Sequence, residues 1–379
     1  MSKILFNNIS KSSDYLKNIA LLHSDYEMFR KKHFSNQCIN LLKKIYTKSE
    51  VLLTHSATGA LEMVASLIDI KPHDEIIMPS FTFVSTANAF VNKGATPVFV
   101  DVKINTLNID ETIIEQAITE KTKAIIAMHY AGHPCNMEAI KILCEKYHLY
   151  LIEDSAMAYG MFYDSKPLGS IGDFGIVSFD ITKHITAIQG GMLLVNNPRF
   201  MERAYQIYHI GTNRKQFDLG KVAHYEWVDQ GSKYQMNELN AAILHQELTN
   251  DKVIISHRIK LSRLYHDLLK DLEVREICTM IDKELLDNNI HEFYLIVKNK
   301  EVRDKLMQFL SDKKIEAHFH YQPLHLAPMG RKVGRYIGGT NTEEIAQKII
   351  RLPLNNLTTA SEVAEVSKQI KAFYEQWQS

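Results

Sequence analysis

From Val51 onward the chain alternates short, unbroken apolar runs with stretches whose apolar residues recur every three or four positions. The runs predict strands at Val51–Thr54, Glu75–Met78, Pro97–Val102, Ala124–His129, Leu149–Glu153, Phe174–Phe179 and Met192–Val195. The periodic stretches predict helices from the turn His55–Ala60 through Ile68, then at Ser85–Asn92, Ile113–Ile118 and Met137–Tyr147. Continuous Val, Ile and Leu runs separated by helices indicate an α/β fold with a mostly parallel sheet covered on both faces. In such sheets chemistry gathers at the carboxyl ends of the strands. Thr58, Phe83, His129, Asp154 and Lys183 all follow strands, so the pattern directs all five toward one crevice.

The rhythm then changes. Residues 199–235 read as a long, partly helical connection, and Met236–Leu248 as a helix with Asn237 and Glu238 at its start. A helix near 252–272 leads into strands near Phe293–Val297 and Ile315–Phe319 and helices near 301–311, 342–351 and 360–377. At 379 residues the chain exceeds what one core usually organises. We therefore expect a large domain, 1–250, and a smaller C-terminal α+β domain, 251–379. Residues 1–50 are charged, with a helical pattern around Cys38, Leu41, Leu42 and Ile45.

Composition removes several function classes. The 44 basic residues balance 44 acidic ones, so no face needs a polyanion and nucleic acid is not expected as a partner. No apolar run approaches the ~20 residues of a membrane helix, and the polar stretch Met1–Ser10 lacks a signal-peptide core. The four cysteines, Cys38, Cys135, Cys144 and Cys278, form no CxxC pair. That argues against a zinc knuckle or a disulfide framework and fits a reducing cytoplasm. His318, His320 and His325 crowd one segment, but no acidic or cysteine ligand lies nearby and Pro323 interrupts it. They read as a polar substrate wall, and no metal is expected. No GxGxxG or P-loop points to a dinucleotide or to ATP.

Candidate chemistry centres on Ser178–Gly191, a turn between two buried strands that holds Lys183 and the pair Gly190-Gly191. A lone lysine in a loop is ordinarily a surface residue, but an amine held there can be desolvated, which lowers its pKa and makes it a nucleophile toward carbonyls. Asp154 ends another buried strand. An amine and a carboxylate so placed are what pyridoxal 5′-phosphate (PLP) needs, the lysine for its carbonyl carbon and the carboxylate for its ring nitrogen. The small and hydroxyl residues Ser56-Ala57-Thr58 at a helix start leave backbone N–H groups open to an anion.

These stretches resemble the PLP-dependent nucleotide-sugar aminotransferases, the DegT family. The likeness runs from about Leu52 to about residue 360. It is strongest in Leu53–Met63, Ile77–Phe90 and His129–Gly132, with Gly211–Arg214 and His320–His325 in support. Within the family the chain is most similar to the transaminases that make dTDP-4-amino-4,6-dideoxygalactose. The resemblance implies fold type I, with a seven-stranded sheet between helices in the large domain. It implies that Lys183 carries PLP and moves the proton, and that Asp154 pairs with the ring nitrogen. Phe83 would stack on the ring, while Ala57, Thr58 and Ser178 would hold the phosphate. Lys233 stands where relatives place an asparagine that reaches the phosphate from the neighbouring subunit, which implies a homodimer with shared sites. Asn213, Arg214, Tyr321 and His325 would lie near the sugar.

The departures from the family fall around the site. Met157 replaces a glutamine or histidine beside the cofactor's phenolic oxygen. Asp180 and Gln189 replace a histidine or aromatic residue and a glutamate, and Arg30–Ser35 replaces a glycine-rich loop. The resemblance implies transfer of an amino group from L-glutamate to a nucleotide-linked 4-keto-6-deoxyhexose, with dTDP-4-keto-6-deoxyglucose as the expected substrate. The product would be an aminodideoxy sugar for surface polysaccharide such as O-antigen. The alternatives are PLP-dependent dehydration of a ketosugar, whose known catalysts carry histidine in place of the lysine, and a PLP-binding regulatory protein without turnover.

Overall fold

The computed structural model describes residues 3–8, 13–288 and 291–377. Met1, Ser2, Ile9 and Ser10 of the polar N-terminal stretch lie outside them. The strands in chain order are β1 (Glu50–Thr54), β2 (Glu75–Pro79), β3 (Thr96–Val100), β4 (Thr122–Met128) and β5 (Tyr150–Asp154). A small hairpin, β6 (Phe162–Tyr163) and β7 (Lys166–Pro167), precedes β8 (Phe174–Ser178) and β9 (Gly191–Val195). The C-terminal part adds β10 (Cys278–Met280), β11 (Phe293–Val297), β12 (Arg335–Ile337) and β13 (Ile349–Leu352).

The main sheet runs β1-β9-β8-β5-β4-β2-β3-β12. Only β9 is antiparallel to its neighbours, β1 and β8. The seven expected strands are all present, and the sheet has eight because β12 pairs in parallel with β3. At three residues β12 is too short to carry a periodic signal. Helices Ala57–Leu67 and Val84–Val91 cover one face through Leu61, Val64, Ala87 and Phe90. Helix Met137–Tyr147 covers the other through Met137, Ile140 and Cys144. Burial on both faces is why these strands read as continuous apolar runs.

A second, antiparallel sheet of order β10-β11-β13 packs with helices Asp251–Val274, Lys300–Asp312 and Ala360–Trp377 around Tyr265, Leu269, Leu306, Val366 and Ile370. Phe81 and Tyr130, from the segments after β2 and β4, belong to this same core. That contact joins the second sheet to the carboxyl ends of the first.

Two expectations for this region are corrected. Segment 315–319 is not a strand: Ile315 bridges Ile4 and His318 bridges Arg351, each singly, so no ladder extends. The expected helix 342–351 is Asn341–Lys348 and stops there. Ile349–Leu352 is strand β13 because β11 offers it an open edge. The apolar pairs Ile345-Ala346 and Ile349-Ile350 suit either state, and pairing decides.

Candidate active site

The carboxyl ends of β1, β2, β5 and β8 open onto one cavity of about 650 Å³. Of the residues expected there, Ala57, Thr58, Phe83, Asp154, Met157, Ser178, Lys183 and Tyr321 line it, as do Asp180 and Gln189. His129 does not. It is fully buried behind Asp154, with Nε2 3.2 Å from Glu153 and Nδ1 accepting from the Cys135 N–H. That position suits a structural group and not one that meets a ligand.

Ser56 caps the Ala57–Leu67 helix, its hydroxyl accepting from the Gly59 N–H at 3.0 Å. The N–H groups of Ala57 and Thr58 have no intrahelical acceptor, so the helix start offers an anion site. Thr58 donates its hydroxyl to Ser85 at 2.9 Å. Gly191 allows β9 to approach this turn: a Cβ there would lie 2.4 Å from the Ala57 nitrogen. Ser178 adds a further hydroxyl from the end of β8.

Asp154 is 5% exposed at the end of β5. One carboxylate oxygen accepts from Thr86 at 2.7 Å and the other from the Ala156 N–H at 3.2 Å. Thr86 in turn lies 3.1 Å from the Thr82 hydroxyl. A carboxylate has about four acceptor sites, so Asp154 retains capacity for a charged donor in the cavity. Neither threonine was singled out in the sequence, although both lie in the Ile77–Phe90 stretch.

The Lys183 amine has no hydrogen-bond or ion-pair partner among the described residues, yet it lies among Glu292, Asp154 and Asp180. Burial lowers the pKa of its amine, against the opposing pull of those three carboxylates. Beside it, His184 Nε2 is 3.0 Å from the Tyr159 carbonyl, so that nitrogen carries the hydrogen. Its Nδ1, 3.2 Å from His291 Nδ1, then accepts, which leaves His291 Nε2 as an acceptor. Burial pushes the His184 pKa down to about 3, so the pair is neutral.

Besides His129, four expected residues lie outside the cavity of the single chain. Lys233 is exposed. Asn213 closes its own loop by accepting from the Glu226 N–H at 2.7 Å. Arg214 reaches toward Asp218 at 3.5 Å. His325, expected near the sugar, uses both ring nitrogens elsewhere, on Ser80 at 2.6 Å and Glu343 at 3.1 Å. It anchors the segment carrying Tyr321 and does not reach the cavity.

The comparisons agree with this geometry. The model of the DegT/DnrJ/EryC1/StrS aminotransferase family matches residues 32–371. The chain belongs to that family. It is 30% identical over 329 residues, 85% of this chain and 84% of the relative, to dTDP-4-dehydro-2,3,6-trideoxy-D-glucose 4-aminotransferase of Saccharopolyspora spinosa. Its fold is similar to that of the Helicobacter pylori aminotransferase involved in the biosynthesis of pseudoaminic acid. The TM-score there is 0.88, with 24% identity over 99% of this chain and 100% of the other. It is similar too to a Streptococcus pneumoniae protein described as a sugar aminotransferase, solved in a PLP form. That match has a TM-score of 0.86 and 22% identity, and covers 99% of both chains.

The protein is therefore a PLP-dependent aminotransferase of fold type I. The residues fit that cofactor: an unpartnered, desolvated amine, a carboxylate with spare acceptor capacity, and an open helix start occupy one cavity. Phe83, 58% exposed, offers a ring face there.

Sequence reasoning missed Glu292, Arg351, His291 and Phe6, which also line the cavity. One signal was available: Arg351 interrupts the apolar run Ile349–Leu352. A charge inside a buried strand needs a reason.

Proposed function

We propose that the enzyme transfers the amino group of L-glutamate to the keto carbon of a nucleotide-linked 4-keto-6-deoxyhexose, with dTDP-4-keto-6-deoxyglucose the foremost candidate. In the donor half a water supplies the keto oxygen of 2-oxoglutarate as the amine is given up, and in the acceptor half the sugar's carbonyl oxygen leaves as water, so the two halves balance. The observation that carries this reading is Lys183, unpartnered and desolvated, in one cavity with Asp154. The Saccharopolyspora relative, named for a dTDP-linked 4-keto sugar, supports the substrate class.

When bound, PLP supplies the electron sink that makes the donor's Cα proton removable. Asp154, oriented by Thr86 and the Ala156 N–H, holds the ring nitrogen protonated by accepting its hydrogen. Ala57, Thr58 and Ser178 would hold the phosphate, and Phe83 and Met157 would pack against the ring. Lys183 Nζ takes the proton from Cα and returns one across the site. That exchange requires a neutral amine near pH 7, and burial pushes it in that direction. Retention of Lys183 favours transamination over dehydration.

The domain division at 250/251 belongs to this reading. So does a cytoplasmic homodimer with shared active sites, in which Lys233 serves the partner's site. No helix among the described residues is long and apolar enough to cross a membrane.

The test is to incubate purified enzyme with glutamate and a panel of dTDP-, UDP- and GDP-linked ketosugars, following 2-oxoglutarate and the amino sugar. Lys183→Ala should abolish turnover, and borohydride should fix PLP to Lys183. Capture on another lysine would overturn the mechanism. Light scattering that finds an active monomer would end the shared-site reading.

A further inference from the structure

Arg351 and Glu292 have no role in the chemistry above, yet both line the cavity with Lys183. They come from the second sheet. Arg351 lies within β13, opposite Tyr294 of β11, and Glu292 immediately precedes β11. Glu292 is 7% exposed. The two side chains form an ion pair, with Arg351 Nη1 donating to Glu292 Oε1. Arg351 Nη2 donates to the Phe319 carbonyl at 3.1 Å, and the guanidinium carbon sits 4.9 Å from the centre of the Phe6 ring.

The pair is incomplete. An arginine and a carboxylate can join through two parallel hydrogen bonds, and here they join through one. Among the described residues, Arg351 Nε is buried without a partner, and so is Glu292 Oε2. His320 Nδ1 stands 3.4 Å from Oε2, but its closer partner is the Tyr130 hydroxyl at 2.8 Å. One charged donor and one charged acceptor are thus left unmet in the wall of a ligand cavity. Buried groups of this kind are normally satisfied, and each exception calls for an explanation. A permanent structural pair would close the fork. A pair that opens for a ligand need not.

We propose that Arg351 binds the carboxylate of the amino donor, and that Glu292 is the counter-ion that holds Arg351 when the donor is absent. This rests on the transaminase reading, in which one cavity must accept first an anionic amino acid and then an uncharged sugar ring. A guanidinium with no internal partner would be left as an uncompensated charge in the second half of the cycle. Arg351 has five N–H donors. The two bonds it makes leave Nε and further hydrogens for a carboxylate, reached once the side chain turns from Glu292. Phe6 and the Phe319 carbonyl keep the guanidinium plane near the cavity wall during that turn.

The experiment separates the two half-reactions by absorbance changes of the bound cofactor. Arg351→Gln should weaken glutamate binding in the first half by about 10-fold or more, the scale of a lost charge-assisted contact. The second half, with ketosugar, should change by less than about 3-fold. With an amine donor that lacks a carboxylate, wild type and variant should react alike. Arg351→Lys should recover part of the loss, and Glu292→Gln, which removes the competing carboxylate, should tighten glutamate binding. Equal losses in both halves, or unchanged glutamate binding in Arg351→Gln, would overturn the proposal. If Arg351→Gln fails to fold, Glu292→Gln decides, and weaker glutamate binding in it refutes the idea. A wild type that reacts with no amino acid at all defeats the transaminase reading itself, which is a different outcome.

Discussion

Gly191→Ala tests how the phosphate cradle is built. A Cβ at this position would lie 2.4 Å from the Ala57 nitrogen, 2.5 Å from the Ser56 carbonyl carbon and 2.9 Å from the Ala57 Cα. All three are backbone atoms, so no side chain can swing aside. Gly191 is not in the left-handed region, and the obstacle is space alone. Restoring ordinary contact, from 2.4 to 3.4 Å, moves the helix start away from β9 by about 1 Å. Overpacking of this kind costs about 1–3 kcal/mol of stability. If this helix start holds the phosphate, as proposed, the same displacement would lengthen the hydrogen bonds that the Ala57 and Thr58 N–H groups offer it. Losing one such charge-assisted bond costs about 1.5–3 kcal/mol, or roughly 10- to 150-fold in PLP affinity. Urea unfolding of the apoenzyme reads the first quantity, and a PLP titration followed by absorbance reads the second. Lower stability with PLP affinity within about 3-fold of wild type would refute the assignment of this helix start as the phosphate site. Unchanged stability would refute the packing argument itself.

Other expectations follow from the same geometry. Met157→Gln gives the phenolic oxygen of PLP a neutral donor, and Asp180→Asn removes a charge that raises the Lys183 pKa. Both should move the absorbance titration of cofactor bound at Lys183 to lower pH, with one unit worth about 1.4 kcal/mol. An unmoved midpoint in both variants means that neither residue meets the cofactor. Glu153 is fully buried and accepts from the N–H groups of Gly169, Ile171 and Gly172 at 2.8, 2.6 and 2.7 Å. Glu153→Gln should cost roughly 3 kcal/mol or more in urea unfolding, because its amide would face those donors. Burial alone would raise the Asp101 pKa, but hydrogen bonds from Thr342, Val102 and Asn341 hold it below its ordinary value. Its contribution is complete above the unfolded pKa of about 3.9 and is lost as pH falls through the lower folded value. Asp101→Asn should therefore lower stability at pH 7 and flatten the acid limb of the stability curve. An acid limb as steep as wild type would argue against this role.

The sequence by itself determined the main sheet, because strands buried on both faces must be apolar throughout. That is why seven runs between Val51 and Val195 could be read without the structure. It placed Lys183 and Asp154 together as well: Asp154 ends one such strand, Lys183 lies in the turn after another, and the carboxyl ends of a parallel sheet face one crevice. Tertiary structure decided what pairs at a distance or in short pieces. β12 exists only because β3 offers an edge, and Ile349–Leu352 is strand and not helix only because β11 lies beside it. His129 and His325 follow the same rule from the other side, since partners far away in sequence, Glu153, Ser80 and Glu343, hold them away from the cavity. Arg351 and Glu292 are 59 positions apart, so no local pattern links them. They meet Lys183 because the second sheet packs over the carboxyl ends of the first, through Phe81 and Tyr130. Periodicity records which face of an element is buried. It carries no record of which other element buries it.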